Sequence, residues 1–162
     1  MAAPDDDGNP NGRIRNNGDA EYGGIIQVTD LGALESWING KLEFRYRVFI
    51  ASGTNVKNRA FGKYARSNFR DQKWKDFGDF LFYWNTANIG NFTIEGWIEE
   101  DGGNSTNTIS QTFPSTCTGC PATTISYTKQ SSDQDLGPTI VQFTDPTETV
   151  YNISYANIKR RD

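Results

Sequence analysis

A chain of 162 residues with a net charge of −4 is the size of one domain, without the basic excess of a nucleic-acid-binding protein. It has no histidine, which excludes Ser-His-Asp and Cys-His catalytic arrangements, and no apolar run as long as a membrane-spanning helix. Only 35% of the residues are hydrophobic, yet 10 Phe, 7 Tyr and 4 Trp can bury large areas. Abundant Asn, Asp, Gly, Ser and Thr favour turns and strands over helices. We therefore expect an all-β domain that binds rather than catalyses.

The N-terminal segment 1–22 is rich in Asp, Asn, Gly and Pro and poor in apolar side chains. This composition predicts a flexible acidic leader, or an arm that becomes ordered against a partner. The β-sandwich domain is predicted to span 23–158, with a first strand over 25–28. Asp30 is then placed to cap a short helix, although an irregular loop fits this segment nearly as well. The charged tail 159–162 is expected to fray.

The segment 41–51 alternates charged and apolar side chains. Successive side chains of a strand point to opposite faces, so one row faces the core and the other faces water or a partner. A helix would spread the charges around its axis, which excludes an amphipathic helix here. The segment therefore predicts a sheet with one wet face. The predicted core row is Leu42, Phe44, Tyr46, Val48 and Ile50.

Apolar or alternating segments recur along the rest of the chain, with turn signals between them. The run 80–84 is continuously apolar and predicts a buried strand, and 91–99 alternates again. Such spacing is typical of a single antiparallel β-sandwich, C2-like or jelly-roll-like, with little helix. Further short strands are predicted near 107–112, 122–129, 138–144 and 148–155.

A basic and aromatic block occupies 57–75, where seven of the sixteen basic residues are opposed only by Asp71. Cations beside aromatic rings suit anionic lipid headgroups, sulfated or uronic polysaccharide or, as the least favoured ligand, nucleic acid. A strand pair with buried rings and a solvated basic face would give the same pattern and protect an edge strand from aggregation. The candidate ligand-binding residues of this block are Lys63, Tyr64, Arg66, Arg70, Lys73 and Trp74.

Trp97 is a further candidate ligand-binding residue, on a strand whose neighbouring positions are charged. An outward Trp of this kind is how many sugar-binding modules present a stacking platform. Together with Glu95, Arg45 and Arg47 it would form a functional sheet face. A second sheet, a partner subunit or a covering loop would bury the same side chain.

Two acidic turns, near 99–103 and 131–137, follow and precede predicted strands. Calcium takes six to eight oxygen ligands, and the carboxylates of these turns converge if both lie at the same end of a sandwich. Asp and Gly also form tight turns without any ligand, so that alternative stays open. The candidate calcium ligands are Glu100, Asp101, Asp133 and Asp135.

The runs Trp97-Ile98-Glu99-Glu100-Asp101 and Asp133-Gln134-Asp135-Leu136-Gly137 resemble a pattern of C2-like β-sandwich domains. In those domains a strand that ends in an aromatic and acidic run is followed by an acidic loop and a Leu-Gly pair that opens the next strand. The resemblance implies a β-sandwich in which calcium assists binding to a lipid or a glycan.

Cys117 and Cys120 are the only cysteines and have C-x-x-C spacing. A redox-active pair usually opens a helix, and no helical pattern follows here. Without histidine or further cysteines the pair cannot complete a zinc site. We expect a small disulfide, with free thiols as the alternative. A disulfide would place the protein in an oxidising compartment, outside the cell or on its surface.

Taken together, these features predict a non-enzymatic extracellular binding module for an anionic surface or a glycan, with calcium as its only expected cofactor. The alternatives are a self-assembling structural or surface subunit, which would use its N-terminal arm and strand edges, and a membrane-active toxin. The expected partners are an anionic membrane, a polysaccharide or copies of the chain itself. Nucleic acid, a transmembrane span and nucleotide or redox cofactors are not expected.

Overall fold

The computed structural model describes residues 12–34, 43–52, 55–101, 103–113 and 122–162. In these ranges the chain is built almost entirely of antiparallel strands, as predicted. The strands are β1 (Ala20–Val28), β2 (Glu43–Ser52), β3 (Asn55–Ala65), β4 (Lys75–Tyr83), β5 (Phe92–Glu100), β6 (Thr106–Phe113), β7 (Thr123–Gln130), β8 (Gln134–Gln142), β9 (Tyr151–Ile153) and β10 (Ala156–Arg161). Two one-turn helices, α1 (Leu31–Leu34) and α2 (Thr86–Ile89), and a 3-10 turn (Arg66–Asn68) complete the described elements.

Two four-stranded sheets share one core. Sheet A has the strand order β4-β1-β10-β9, and sheet B has the order β3-β2-β5-β8. The short connection through the 3-10 turn joins β3, at one edge of sheet B, to β4, at one edge of sheet A. These two edges therefore lie on the same side of the sandwich.

Aromatic rings dominate the main core between the sheets. Phe44, Tyr46 and Val48 of β2 are fully buried, as the alternation predicts. Tyr46 stacks on Trp97 with a distance of 4.4 Å between ring centroids, and its hydroxyl donates to Asp79 Oδ2 at 2.7 Å. Because each ring buries a large area, a small hydrophobic content is enough to fill this core.

Strands β6 and β7 form a hairpin that covers part of the outer face of sheet B. Ile125 and Tyr127 of the hairpin pack with Phe49, Ile94 and Ile98 of sheet B in a second, smaller core. Both faces of β5 are consequently buried. The face of sheet B that was predicted to be wet is thus only partly wet, because the hairpin adds a third layer.

Both chain ends take part in the sheets within the described residues. β1 begins at Ala20, inside the predicted leader, and Arg15 and Glu21 are buried. Arg160, in β10, is also buried, so the prediction of a frayed tail over 159–162 is wrong. The leader prediction is likewise wrong for 12–22, while residues 1–11 lie outside the described residues. The physical reason is a set of buried ion pairs that holds both ends in sheet A.

A bulge in β4 decides which of its side chains are exposed. In the pairing of β4 with β1, Glu21 is opposite Phe82 and Tyr22 is opposite Phe80, which leaves Leu81 as an extra residue. A bulge of this kind re-aims the side chains that follow it. Leu81 and Phe82 are both buried, and Phe80 and Tyr83 are both exposed. The prediction that the whole run 80–84 is buried is therefore wrong.

The helix predicted after Asp30 begins as expected. Asp30 Oδ1 accepts a hydrogen bond from the backbone N–H of Ala33 at 2.9 Å, which is the contact of an N-terminal cap. α1 includes Leu31 and Leu34, which pack into the main core. Residues 35–38 lie outside the described residues.

Candidate functional site

Trp97 is a core residue and is 0% exposed, so the prediction of an exposed Trp platform is wrong. It lies on the face of β5 that meets sheet A, where its ring stacks on Tyr46. Its Nε1–H donates to Glu95 Oε1 at 2.7 Å, which satisfies the only polar atom of the side chain. Trp97 therefore stabilises the core and cannot stack on a ligand.

Four buried charges form a continuous chain between the sheets. Arg160 Nε donates to Glu95 Oε2 at 2.7 Å, and Arg160 Nη1 lies 3.9 Å from Glu21 Oε1. Glu21 also accepts from Arg15 Nη2 at 2.7 Å and from Trp84 Nε1 at 2.9 Å. We call Arg15, Glu21, Arg160 and Glu95 the buried ion chain. Two cations and two anions balance, which is the condition under which such charges can be buried.

The two acidic turns do meet at one end of sheet B. Asp133 accepts hydrogen bonds from the backbone N–H groups of Asp101 at 2.8 Å and of Gln130 at 2.9 Å. Asp135 accepts from the Tyr127 hydroxyl at 3.0 Å. Within the described residues, no group of three or more His, Cys, Asp or Glu side chains is arranged to hold a metal ion. Calcium binding stays a prediction for Glu100, Asp101, Asp133 and Asp135.

Glu99, which belongs to the acidic run 97–101, is a buried carboxyl beside these turns, although the alternation of β5 predicts an outward side chain. It is 0% exposed, and neither carboxyl oxygen has a hydrogen-bond partner among the described residues. Burial, and then the nearby negative charges of Asp101, Asp133 and Glu100, raise the pKa of Glu99 to about 8. At neutral pH this carboxyl is therefore largely protonated.

The aromatic residues of the 57–75 block are packed rather than displayed. Tyr64 stacks on Phe77 with 3.6 Å between ring centroids, and its hydroxyl donates to Asp79. Trp74 is half-buried, and the Lys159 ammonium lies 4.9 Å from the centre of its ring. These contacts give both Tyr64 and Trp74 partners within the chain.

The basic residues of the block are divided between the two sheets and the solvent. Arg59 crosses from β3 to donate to the Leu81 carbonyl of sheet A. Arg70 and Lys73 are exposed, and neither has an ion pair within the described ranges. Arg66 is half-buried, and the side chain of Lys63 lies outside the described part. Among the described side chains of the block, Arg70 and Lys73 are therefore cations without an ion pair near the turn between β3 and β4.

Three rings on the outer face of sheet A form a surface that we call the aromatic patch, namely the half-buried Tyr22 and the exposed Phe80 and Tyr83. Phe80 is 37% exposed and Tyr83 is 64% exposed. The Phe80 centroid lies 5.8 Å from that of Tyr22 and 5.0 Å from that of Tyr83. Strand pairing fixes all three positions, because Tyr22 lies opposite Phe80 and Ala20 opposite Tyr83. Sequence analysis did not predict the patch, since only the bulge places Phe80 and Tyr83 on one face.

Polar groups border the aromatic patch. The Arg161 guanidinium lies 4.9 Å from the centre of the Tyr22 ring, and its Nε donates to Asp76 Oδ2 at 2.7 Å. Gly78 has a φ of 65° and lies beside this pair, where a side chain would approach Arg161 Nη2 to 3.5 Å. The positive φ favours glycine at this position, next to the ion pair. Rings next to a few fixed donors and acceptors are the usual make-up of a binding site.

No helix in the described part has the length and apolar character needed to cross a bilayer. Cys117 and Cys120 lie outside the described residues, so the disulfide stays a prediction. Comparisons with protein-family models, with curated proteins and with solved structures give no match. The resemblance to C2-like domains also stays a prediction, because none of these comparisons bears on it.

Proposed function

We propose that this chain is a non-enzymatic extracellular binding module that holds a glycan on the aromatic patch. The exposure of Phe80 and Tyr83 on adjoining positions of a rigid sheet carries this proposal. Sugar rings have apolar C–H faces that pack on aromatic rings and hydroxyl groups that need donors and acceptors at the rim. The aromatic rings come from Tyr22, Phe80 and Tyr83. The donors and acceptors at the rim come from the Arg161–Asp76 pair.

The charge around the patch favours an uncharged sugar. Arg161 is paired with Asp76, and Lys159, two residues earlier on β10, is paired with Glu148. These two cations beside the patch each have an anion, so in the described part of this face they leave no excess of positive charge to select an acidic ligand. Neutral hydroxyl groups can share the donors and acceptors of such pairs without breaking them.

Attachment to an anionic surface is the second candidate function. Arg70 and Lys73 support it, because both are exposed and lack an ion pair within the ranges described. Self-assembly by strand addition is disfavoured at the β3 edge. There, Arg59 points inward and is bonded to Leu81, and an inward charge on an edge strand opposes pairing with another chain.

Tyr83→Ala is expected to weaken glycan binding about twofold to tenfold, because a stacked ring contributes roughly 0.5–1.5 kcal/mol beyond its buried area. Affinity electrophoresis in gels that contain neutral polysaccharides would measure the effect. Tyr155→Ala is the matched control, since Tyr155 is also exposed but lies in the turn between β9 and β10. We expect it to bind as the unaltered chain does.

Equal binding by the Tyr83→Ala variant and the unaltered chain would reject the aromatic patch as the site. Parallel lanes in EDTA and in calcium test the predicted calcium assistance. Vesicles of anionic lipid test the second candidate, for which the double variant Arg70→Gln/Lys73→Gln should lose binding while Tyr83→Ala keeps it. Because the two candidates depend on different residues, their failures can be told apart.

A further inference from the structure

Arg47 is a half-buried cation without a counter-charge. It lies on the outer face of β2, and none of the residues that the structure describes forms an ion pair with it. Its Nη1 donates to Asn58 Oδ1 at 3.3 Å, while its Nε is buried and has no partner. A guanidinium carries five donors, and leaving a buried donor unpaired costs about 1–3 kcal/mol. Such an arrangement calls for an explanation.

Arg45, on the same face, differs from Arg47 in having carboxylates within ion-pair distance, although its Nε is also buried and makes no hydrogen bond. Its Nε lies 2.7 Å from Glu100 Oε1, and its Nη2 lies 4.0 Å from Asp133 Oδ2. Arg47, two residues further along β2, has no carboxylate within ion-pair distance among the described residues, and Glu100 acts on it only from further away. Burial, followed by the positive charge of Arg45, lowers the pKa of Arg47, which means that its charged form is poorly stabilised by its surroundings.

The two sides of Arg47 differ in what covers them. Its neighbours across the sheet are small, Ala60 on β3 and Gly96 on β5. The ring of Tyr127 lies over Gly96 from the hairpin, whereas Asn58 and Ala60 are exposed. Arg47 therefore lies between the hairpin on the β5 side and exposed residues on the β3 side. We call this part of the outer face of sheet B the Arg47 trough.

We propose that the Arg47 trough binds an oxyanion group, a sulfate ester or a carboxylate, of an acidic polysaccharide. The planar fork of a guanidinium matches such groups with two parallel hydrogen bonds. The Asn58 amide lies beside it to receive or donate a hydrogen bond to a sugar hydroxyl. A membrane surface fits less well, because the β6–β7 hairpin stands above the trough, whereas a single polysaccharide chain can enter it.

This site is separate from the aromatic patch. The trough lies on the outer face of sheet B and the patch on the outer face of sheet A, so the core of the sandwich separates them. The trough carries an uncompensated cation, while the cations beside the patch are paired. The two surfaces therefore differ in the charge of the sugar that they fit, and either proposal can fail without the other.

Nitrogen-15 NMR of the arginine Nε–H groups provides the test. Oligosaccharides derived from heparin, which carry sulfate esters, and oligogalacturonates, which carry carboxylates, would be titrated into the full chain at constant ionic strength. We expect a saturable shift of the Arg47 Nε–H signal with at least one of them. Arg47→Gln should weaken binding roughly tenfold, because charge-assisted hydrogen bonds are lost.

Arg70→Gln is the matched control, because it removes the same charge from the exposed block. We expect it to change the affinity less than about twofold, since distant surface charges are screened by salt. Arg47→Lys keeps the charge but loses the fork, and should recover only part of the binding. Equal losses in Arg47→Gln and Arg70→Gln, or no Nε–H shift with either oligosaccharide, would overturn the proposal. The Nε–H shift is measured in the unaltered chain, so the titration tests the proposal even if a variant folds poorly.

Discussion

Arg160→Met is expected to lower the free energy of unfolding by about 3–5 kcal/mol at neutral pH, the usual result of breaking a buried ion pair from one side. The substitution removes the cation that lies 2.7 Å from Glu95 Oε2 and 3.9 Å from Glu21 Oε1. Glu21 keeps Arg15, but Glu95 keeps only the Trp97 N–H. An unpaired carboxylate then remains in a fully buried position. Urea unfolding followed by tryptophan fluorescence measures the loss.

Two companions show whether the loss comes from the buried ion chain. Arg160→Met/Glu95→Gln removes the stranded charge together with its partner and should recover most of the stability. Arg161→Gln changes the next residue of β10, whose pair with Asp76 is partly exposed, and should cost less than about 1 kcal/mol. A loss for Arg160→Met no larger than that for Arg161→Gln would contradict a role of the buried ion chain in stability.

Stability is expected to fall by about 4 kcal/mol between pH 5 and pH 8 because of one carboxyl, Glu99. Its pKa in the folded chain is about 8, while its ordinary value is 4.5. At a pH between these two pKa values, Glu99 is protonated in the folded chain and ionised in the unfolded chain. The free energy of unfolding therefore falls as the pH rises through this range. The full stability is present below about pH 4.5, and the loss is complete once the pH passes 8.

Glu99→Gln should flatten this pH profile, because glutamine has the shape of the protonated acid and does not titrate. The chain has no histidine, which is the side chain that ordinarily titrates between pH 5 and 8. The pH dependence due to Glu99 is therefore not mixed with that of a histidine. Glu100→Gln is the matched control and should leave most of the slope in place. Urea unfolding midpoints measured at half-unit steps of pH would give the slope for each variant. A slope that survives in Glu99→Gln would assign the effect to another group.

The alternation of β2 shows how far sequence reasoning reaches. Phe44, Tyr46 and Val48 are buried as predicted, because the two-residue period of a strand separates an inner row from an outer one. The same reasoning placed most of the later strands within a few residues of their positions. Periodicity is a local property, so it identifies a strand and its inner face whenever one face is polar.

Sequence reasoning failed where a layer far along the chain covers a strand. On β5 both faces are buried, one by sheet A and the other by the hairpin. Trp97 was placed on the outer face because its neighbours Glu95 and Glu99 are charged, yet those carboxyls lie inside the protein. The side chains around these carboxyls come from β2, β8 and β10. These strands are distant from β5 in sequence, so the pattern within β5 cannot show such contacts.

The candidate sites depend on similarly long-range features. The aromatic patch exists because one extra residue in β4 turns Tyr83 to the same face as Phe80, and a bulge of this kind leaves no mark in hydrophobic periodicity. Arg47 was visible as an outward charge, but its lack of a counter-charge follows from which side chains the fold brings near it. The metal candidates Asp101 and Asp133 meet as expected, although the contact is a backbone N–H to a carboxylate.

The third layer gives this protein two cooperative units of unequal strength. The β6–β7 hairpin is hydrogen-bonded only to itself as a sheet, and its core is small beside the one between sheets A and B. Opening it exposes few apolar side chains, so its amide protons should exchange with solvent through a local fluctuation of low free energy. Those of β1, β2 and β5 should exchange only when the whole domain unfolds. A ligand in the Arg47 trough would contact both units and slow exchange in the weaker one.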